Sequence, residues 1–131
     1  MSRIAAKGMV LIFAAIVIFH LLVLTSVIPF TIVGGGRITS QTEMYQLETT
    51  ALLLNIFFLF IALVQAGYLH LRVPSRILTA VLWVMFGIFL LNTVGNLFSN
   101  SQLEKLIFTP ITLILAAFSA ILAMNRTSKT A

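Results

Sequence analysis

Four stretches of this chain, at about 8 to 30, 49 to 69, 77 to 98 and 104 to 124, stay apolar over enough residues to cross a bilayer. A hydrocarbon core of about 30 Å takes about 20 helical residues at about 1.5 Å each. Lipid offers no partner to a backbone N–H or C=O, so a spanning segment is either a helix or a strand of a closed barrel. Barrel strands alternate in polarity, whereas Leu52-Leu53-Leu54 and the run from Ile56 to Ile61 are apolar at consecutive positions. The chain is therefore predicted to be an all-α integral membrane protein. Composition agrees: with 60% hydrophobic and 8% charged residues, 131 residues cannot cover a water-soluble globule with polar surface. The length, 1-131, suits a single membrane domain. The first stretch, behind Arg3 and Lys7, has the flank of a signal peptide. Its apolar run from Met9 to Phe30 is too long for one, and Gly34-Gly35-Gly36 follows no clear cleavage pattern, so it is read as a retained helix.

Orientation follows from the cations, since Lys and Arg in short loops stay on the cytoplasmic side. Arg3 and Lys7 precede the first span, Arg72 and Arg76 separate the second from the third, and Arg126 and Lys129 follow the fourth. Arg37 and Lys105 lie on the other side, with Glu43, Glu48 and Glu104. Both termini and the middle link are thus expected in the cytoplasm. Short connections make consecutive helices antiparallel neighbours, which predicts an up-down-up-down bundle in a plasma or bacterial inner membrane. One loop is sizeable, the outer segment 31-47, and it alone is long enough for a lid.

The same residues exclude function classes. A formal net charge of +5 is spread over three cytoplasmic segments without a basic-aromatic stripe, so it marks topology and contact with anionic lipid, and no nucleic-acid partner is expected. The chain has no Cys, which removes disulfides, thiolate metal sites and thiol nucleophiles. It has no Asp, and its three Glu have no metal-ligand spacing to His, so neither a metal nor a cofactor is expected. No Ser lies in a nucleophile elbow, and no catalytic residue is assigned. Within the spans there is no embedded Asp, Glu, Lys or Arg to couple ions apart from Glu48 at a boundary.

What chemistry the spans carry is polar but uncharged, apart from that boundary. Glu48, Asn55 and Ala62 are seven apart and share one helix face; Asn92, Gly95 and Asn96 share another. With both faces turned inward, the outer half of the bundle holds a polar funnel of Glu48, Asn55, Asn92 and Asn96, with His20 near its floor. Gln65 belongs to the cytoplasmic half. The amides of Gly34 to Gly36, with Arg37, suit a small anion-binding concavity. Ser101 and Glu104 have capping-box spacing at the start of the fourth helix, and Pro110 interrupts its ladder. Thr112, Ala116 and Ala120, every fourth residue, allow close helix approach. The chain is thus expected to bind a small-molecule or lipid ligand in an outward-facing pocket, or to act as an accessory subunit beside a partner membrane protein. The alternative is one subunit of a homo-oligomeric channel or transporter.

Topology is directly testable in a chain free of Cys. A single Cys placed at Ser40 should be labelled by an impermeant maleimide in intact cells, and one at Ser128 only after lysis; equal labelling of both would refute the orientation.

Overall fold

The computed structural model describes residues 2–130, with side chains described through 126. Ser128 and Lys129, which entered the labelling scheme and the charge map, have side chains outside the described residues. Four helices are each long and apolar enough to cross a membrane, and no strand occurs among the described residues. They are α1 (Ser2–Leu24), α2 (Gln41–Gln65), α3 (Ser75–Leu97) and α4 (Thr109–Thr130), the last entered through a π-helical turn at Glu104–Phe108.

Backbone chemistry, more than hydropathy, sets the helix ends. At the end of α1, Ser26 takes a left-handed φ of 64° and Val27 N–H reaches back to the Leu22 carbonyl at 2.9 Å. That closing bond six residues round stops the helix at Leu24, although the apolar run continues to Phe30. Gly67, at φ 83°, ends α2 the same way, with Tyr68 N–H on the Leu63 carbonyl at 3.0 Å. The start of α2 lies at Gln41, well before the apolar run begins, because Ser40 is extended and its hydroxyl accepts from Glu43 N–H at 3.1 Å. The connection between α1 and α2 is therefore residues 25–40, folded into short 3-10 turns at Phe30–Ile32 and Gly34–Gly36, in place of the expected 31–47.

At the other irregular helix start, Pro110 has no N–H to offer the ladder. The chain responds with the π turn: both the N–H and the hydroxyl of Thr109 bond the Glu104 carbonyl, the hydroxyl at 3.2 Å. The expected capping box does not form. Ser101 Oγ donates to the Ile32 carbonyl at 2.6 Å, and the Glu104 carboxylate turns to other partners.

Contacts run from α1 to α2 and α4, and from α3 to α4. Phe13, Phe58 and Phe89, from three helices, form one buried cluster with ring centroids 5.4 to 5.8 Å apart. Leu11, Leu53, Leu91 and Leu106 point outward and are 62 to 74% exposed, the pattern of helices solvated by lipid. Between helices in such a solvent, close packing replaces the hydrophobic effect as the main attraction. Gly8 of α1 lets Phe118 of α4 approach so closely that a Cβ there would lie 2.7 Å from the ring. On α4 the buried stripe is Thr112, Leu115, Ala116, Ser119, Leu122 and Ala123, which leaves Ala120 half-buried at its rim.

Ala116, 1% exposed, is thus the tightest of the fourth-residue series. Ala116→Leu should destabilise the bundle by about 1–3 kcal/mol through overpacking, whereas Ala117→Leu on the exposed face should not. Melting in detergent reads the difference, and equal midpoints would show that Ala116 faces lipid.

Candidate functional site

His20 and Glu48 are the first pair the fold brings together. Hydropathy alone puts Glu48 at the membrane boundary and His20 deep in its span. Because α1 ends six residues earlier than the apolar run and α2 begins eight residues before the expected span, the two meet at one level. His20 Nδ1 lies 2.5 Å from Glu48 Oε2, and Glu48 is only 4% exposed. With Nδ1–H donating to the carboxylate, Nε2 is the ring's acceptor when the imidazole is neutral. Glu48 is therefore partnered by His20, and Asn96, its expected neighbour, bonds elsewhere.

Glu104 is the residue that sequence reasoning missed. Its carboxylate, 9% exposed, accepts from the Gly35 N–H, at 3.0 and 3.2 Å to its two oxygens, and from the Ser99 hydroxyl at 2.5 Å. The loop's expected anion site thus has an internal anion. Gly35 presents its amide this way because Gly34, Gly35 and Gly36 all adopt left-handed φ values of 61°, 74° and 71°, which cost non-glycine residues roughly 1–2 kcal/mol each. The neighbouring amides are used within the loop, Gly36 N–H on Val33 and Arg37 N–H on Gly34. Three further bonds fasten the loop to the segment between α3 and α4. Asn100 N–H donates to the Gly35 carbonyl at 3.0 Å, Arg37 Nη2 to Phe98 at 3.4 Å, and Ser101 Oγ to Ile32. Val33 and Ile38 meanwhile bury themselves against Val23 and Met44.

Beneath this roof lies a cavity of about 480 Å³. All six sequence-predicted residues, His20, Arg37, Glu48, Asn55, Asn92 and Asn96, line it. So do Glu104 and Thr112, while Phe89 of the aromatic cluster and Leu115 supply apolar wall. The exposed lining residues Leu47 of α2 and Leu91, Asn92 and Gly95 of α3 mark an opening between those two helices. The asparagines do not form the expected interhelical pair. Asn55 donates to the Ala51 carbonyl of its own helix at 2.8 Å, and Asn96 reaches Thr112 at 3.5 Å. The buried link between α3 and α4 is instead Thr93 to Thr112 at 2.9 Å. Thr93 follows Asn92 directly, and both threonines also bond their own helix backbones, Thr93 at Phe89 and Thr112 at Phe108. Each hydroxyl thus serves its own helix and its neighbour at once, a pairing that no spacing within a single helix announces.

No protein-family model, curated protein or solved structure matches this chain. What the cavity can do follows from its own atoms. Among the described residues no three His, Asp or Glu side chains gather as a metal-holding group. Both carboxylates already have partners, and Asn55, Asn96 and Arg37 each donate one hydrogen bond to the protein, so the polar lining is what remains of the carboxamides, one guanidinium and the His20 ring, beside apolar wall. That set suits a molecule with an uncharged or weakly polar head and an apolar body.

The roof depends on Glu104. Glu104→Gln weakens two charge-assisted bonds, for about 1–2 kcal/mol of local stability, and should raise trypsin cleavage after Arg37 by about 5–30-fold, with cleavage after Arg72 as the internal control. An unchanged ratio of the two cuts would show that the loop is held by other contacts.

Proposed function

We propose that this protein is a non-enzymatic membrane receptor or carrier for a small amphipathic or lipidic ligand. The chain is then an up-down-up-down bundle with both termini in the cytoplasm of a plasma or bacterial inner membrane. The six polar positions form its outward-facing binding pocket. Contacts at the two ends of the helices support the antiparallel order: His20 late in α1 meets Glu48 early in α2, Thr93 late in α3 meets Thr112 early in α4, and Arg126 late in α4 meets Ser75 at the start of α3.

The observation that carries the reading is an open, amphipathic cavity whose lining comes from all four helices and from the roof loop. Interhelical hydrogen bonding engages only Asn96 of the three asparagines, through Thr112, and leaves the space between them open. The opening between α2 and α3, flanked by Leu47 and Leu91, faces the hydrocarbon in this topology, so a ligand reaches the polar groups from within the lipid. Its head would meet Asn55 and Asn92, and its apolar part would lie along Phe89 and Leu115. A second reading, an accessory subunit or one protomer of a channel or transporter, rests on the large exposed apolar helix faces; lipid covers such faces equally well, and the cavity then has no role.

Gly95 offers the test. It lines the cavity, and a Cβ placed there meets nothing within 4 Å beyond its own turn of helix. Gly95→Leu should therefore fold at least as well as the wild type, since replacing a helical glycine gains up to about 1 kcal/mol, while filling the pocket. Native mass spectrometry of protein extracted from membranes should show a small-molecule or lipid adduct on the wild type that is lost from Gly95→Leu. Identical adduct patterns on two equally stable proteins would refute the pocket.

A further inference from the structure

At the opposite end of the helices lies a second cavity, of about 400 Å³, where α1 and α3 begin and α2 and α4 end. Its polar lining is Ser2, Arg3, Gln65, Ser75, Asn125 and Arg126. Two features distinguish it from a merely basic surface. No Asp or Glu is among its described lining residues, and all three acids of the chain lie in or near the roof region, at 43, 48 and 104. Donor-bearing side chains also line a concave space. Arg126 is half-buried and its Nη1 donates to Ser75 Oγ at 3.2 Å, which fixes the guanidinium against the first turn of α3. The Nε2 of Gln65 is buried and has no hydrogen-bond partner among the described residues, an arrangement that costs about 1–3 kcal/mol.

We propose that this cavity is a binding site for a phosphate group, carried by an anionic phospholipid or free in solution. A phosphate oxygen is the acceptor that two guanidinium groups, a carboxamide N–H and a serine hydroxyl can bond together, and guanidinium forks match its geometry. The level of the cavity fits as well. It sits at the ends of spanning helices, where headgroups lie and where snorkelling arginines meet them. General attraction of basic residues to an anionic surface predicts equal roles for every exposed arginine at that end; a built site predicts that Arg3, Gln65 and Arg126 outweigh Arg72, which does not line the cavity. This inference is independent of the outer pocket, which shares no lining residue with it.

The experiment uses the full chain in a nonionic detergent, titrated separately with phosphatidylglycerol, phosphatidylcholine and sodium phosphate, and read by native mass spectrometry and by melting. The wild type should bind one phosphatidylglycerol saturably and in preference to phosphatidylcholine. Arg3→Gln and Arg126→Gln should each weaken binding by about tenfold or more, the loss that accompanies one charge-assisted hydrogen bond, and Arg72→Gln should leave it unchanged. Gln65→Leu should weaken binding without changing the charge, which keeps the test decisive if Arg126→Gln fails to fold. Stabilisation by phosphatidylglycerol alone assigns the site to a lipid headgroup. Saturable stabilisation by sodium phosphate assigns it to the phosphate group itself. No saturable binding of either, or equal losses in Arg72→Gln, overturns the proposal.

Discussion

Glu104 brings a carboxylate into a position that packed side chains keep from solvent, and such a group is tolerable only where donors already point at it. A serine hydroxyl and a backbone amide meet that demand. The amide comes from a residue far away in sequence, so the requirement is satisfied only when the loop before α2 lies across the start of the fourth helix. Three glycines in left-handed conformation, the π turn that accommodates Pro110 and the bonds from Ser101 and Asn100 all belong to this one arrangement. The cavity has a roof because a buried acid needs one.

The His20 and Glu48 pair does comparable work between α1 and α2. The two acids thereby complete the cage without occupying it, and Asn55, Asn92 and Asn96 line the space. The aromatic cluster of Phe13, Phe58 and Phe89 closes the other side. Polar groups thus hold the walls apart at one level while rings draw the helices together at the next, which is how a bundle this small keeps a cavity at all.

Hydropathy made four apolar helices legible, and heptad spacing found the inward face of Glu48, Asn55 and Ala62. His20, Glu48, Asn55, Asn92 and Asn96, inferred from polarity in the spans, and Arg37, inferred from the glycine loop, line one cavity, although Asn92 and Gly95 lie exposed at its opening and not on an inward face. What hydropathy could not read was where helices stop, because lipid tolerates an apolar residue whether or not it is helical. Ser26 in a left-handed turn ended α1 inside an apolar run, and Ser40 with Glu43, a capping signature in plain view, began α2 among polar residues. The equivalent spacing at Ser101 and Glu104 misleads, since tertiary partners outbid the local ones there. The pairing of His20 with Glu48 hung on those ends, as an error of one or two turns moves a side chain by about 5–11 Å along the axis. Glu104 itself needed a contact across 69 residues that no local pattern encodes.

That separation also orders events during synthesis. When the loop's glycines leave the ribosome, the acid that will hold them is not yet made; at about 5–20 residues per second it follows some 3–14 s later. Through that interval the first helical hairpin can form its histidine–carboxylate contact, but the loop's amide has only water to bond. The cavity is therefore roofed last, by the arrival of the fourth helix, and a chain halted after its third helix would leave it uncovered.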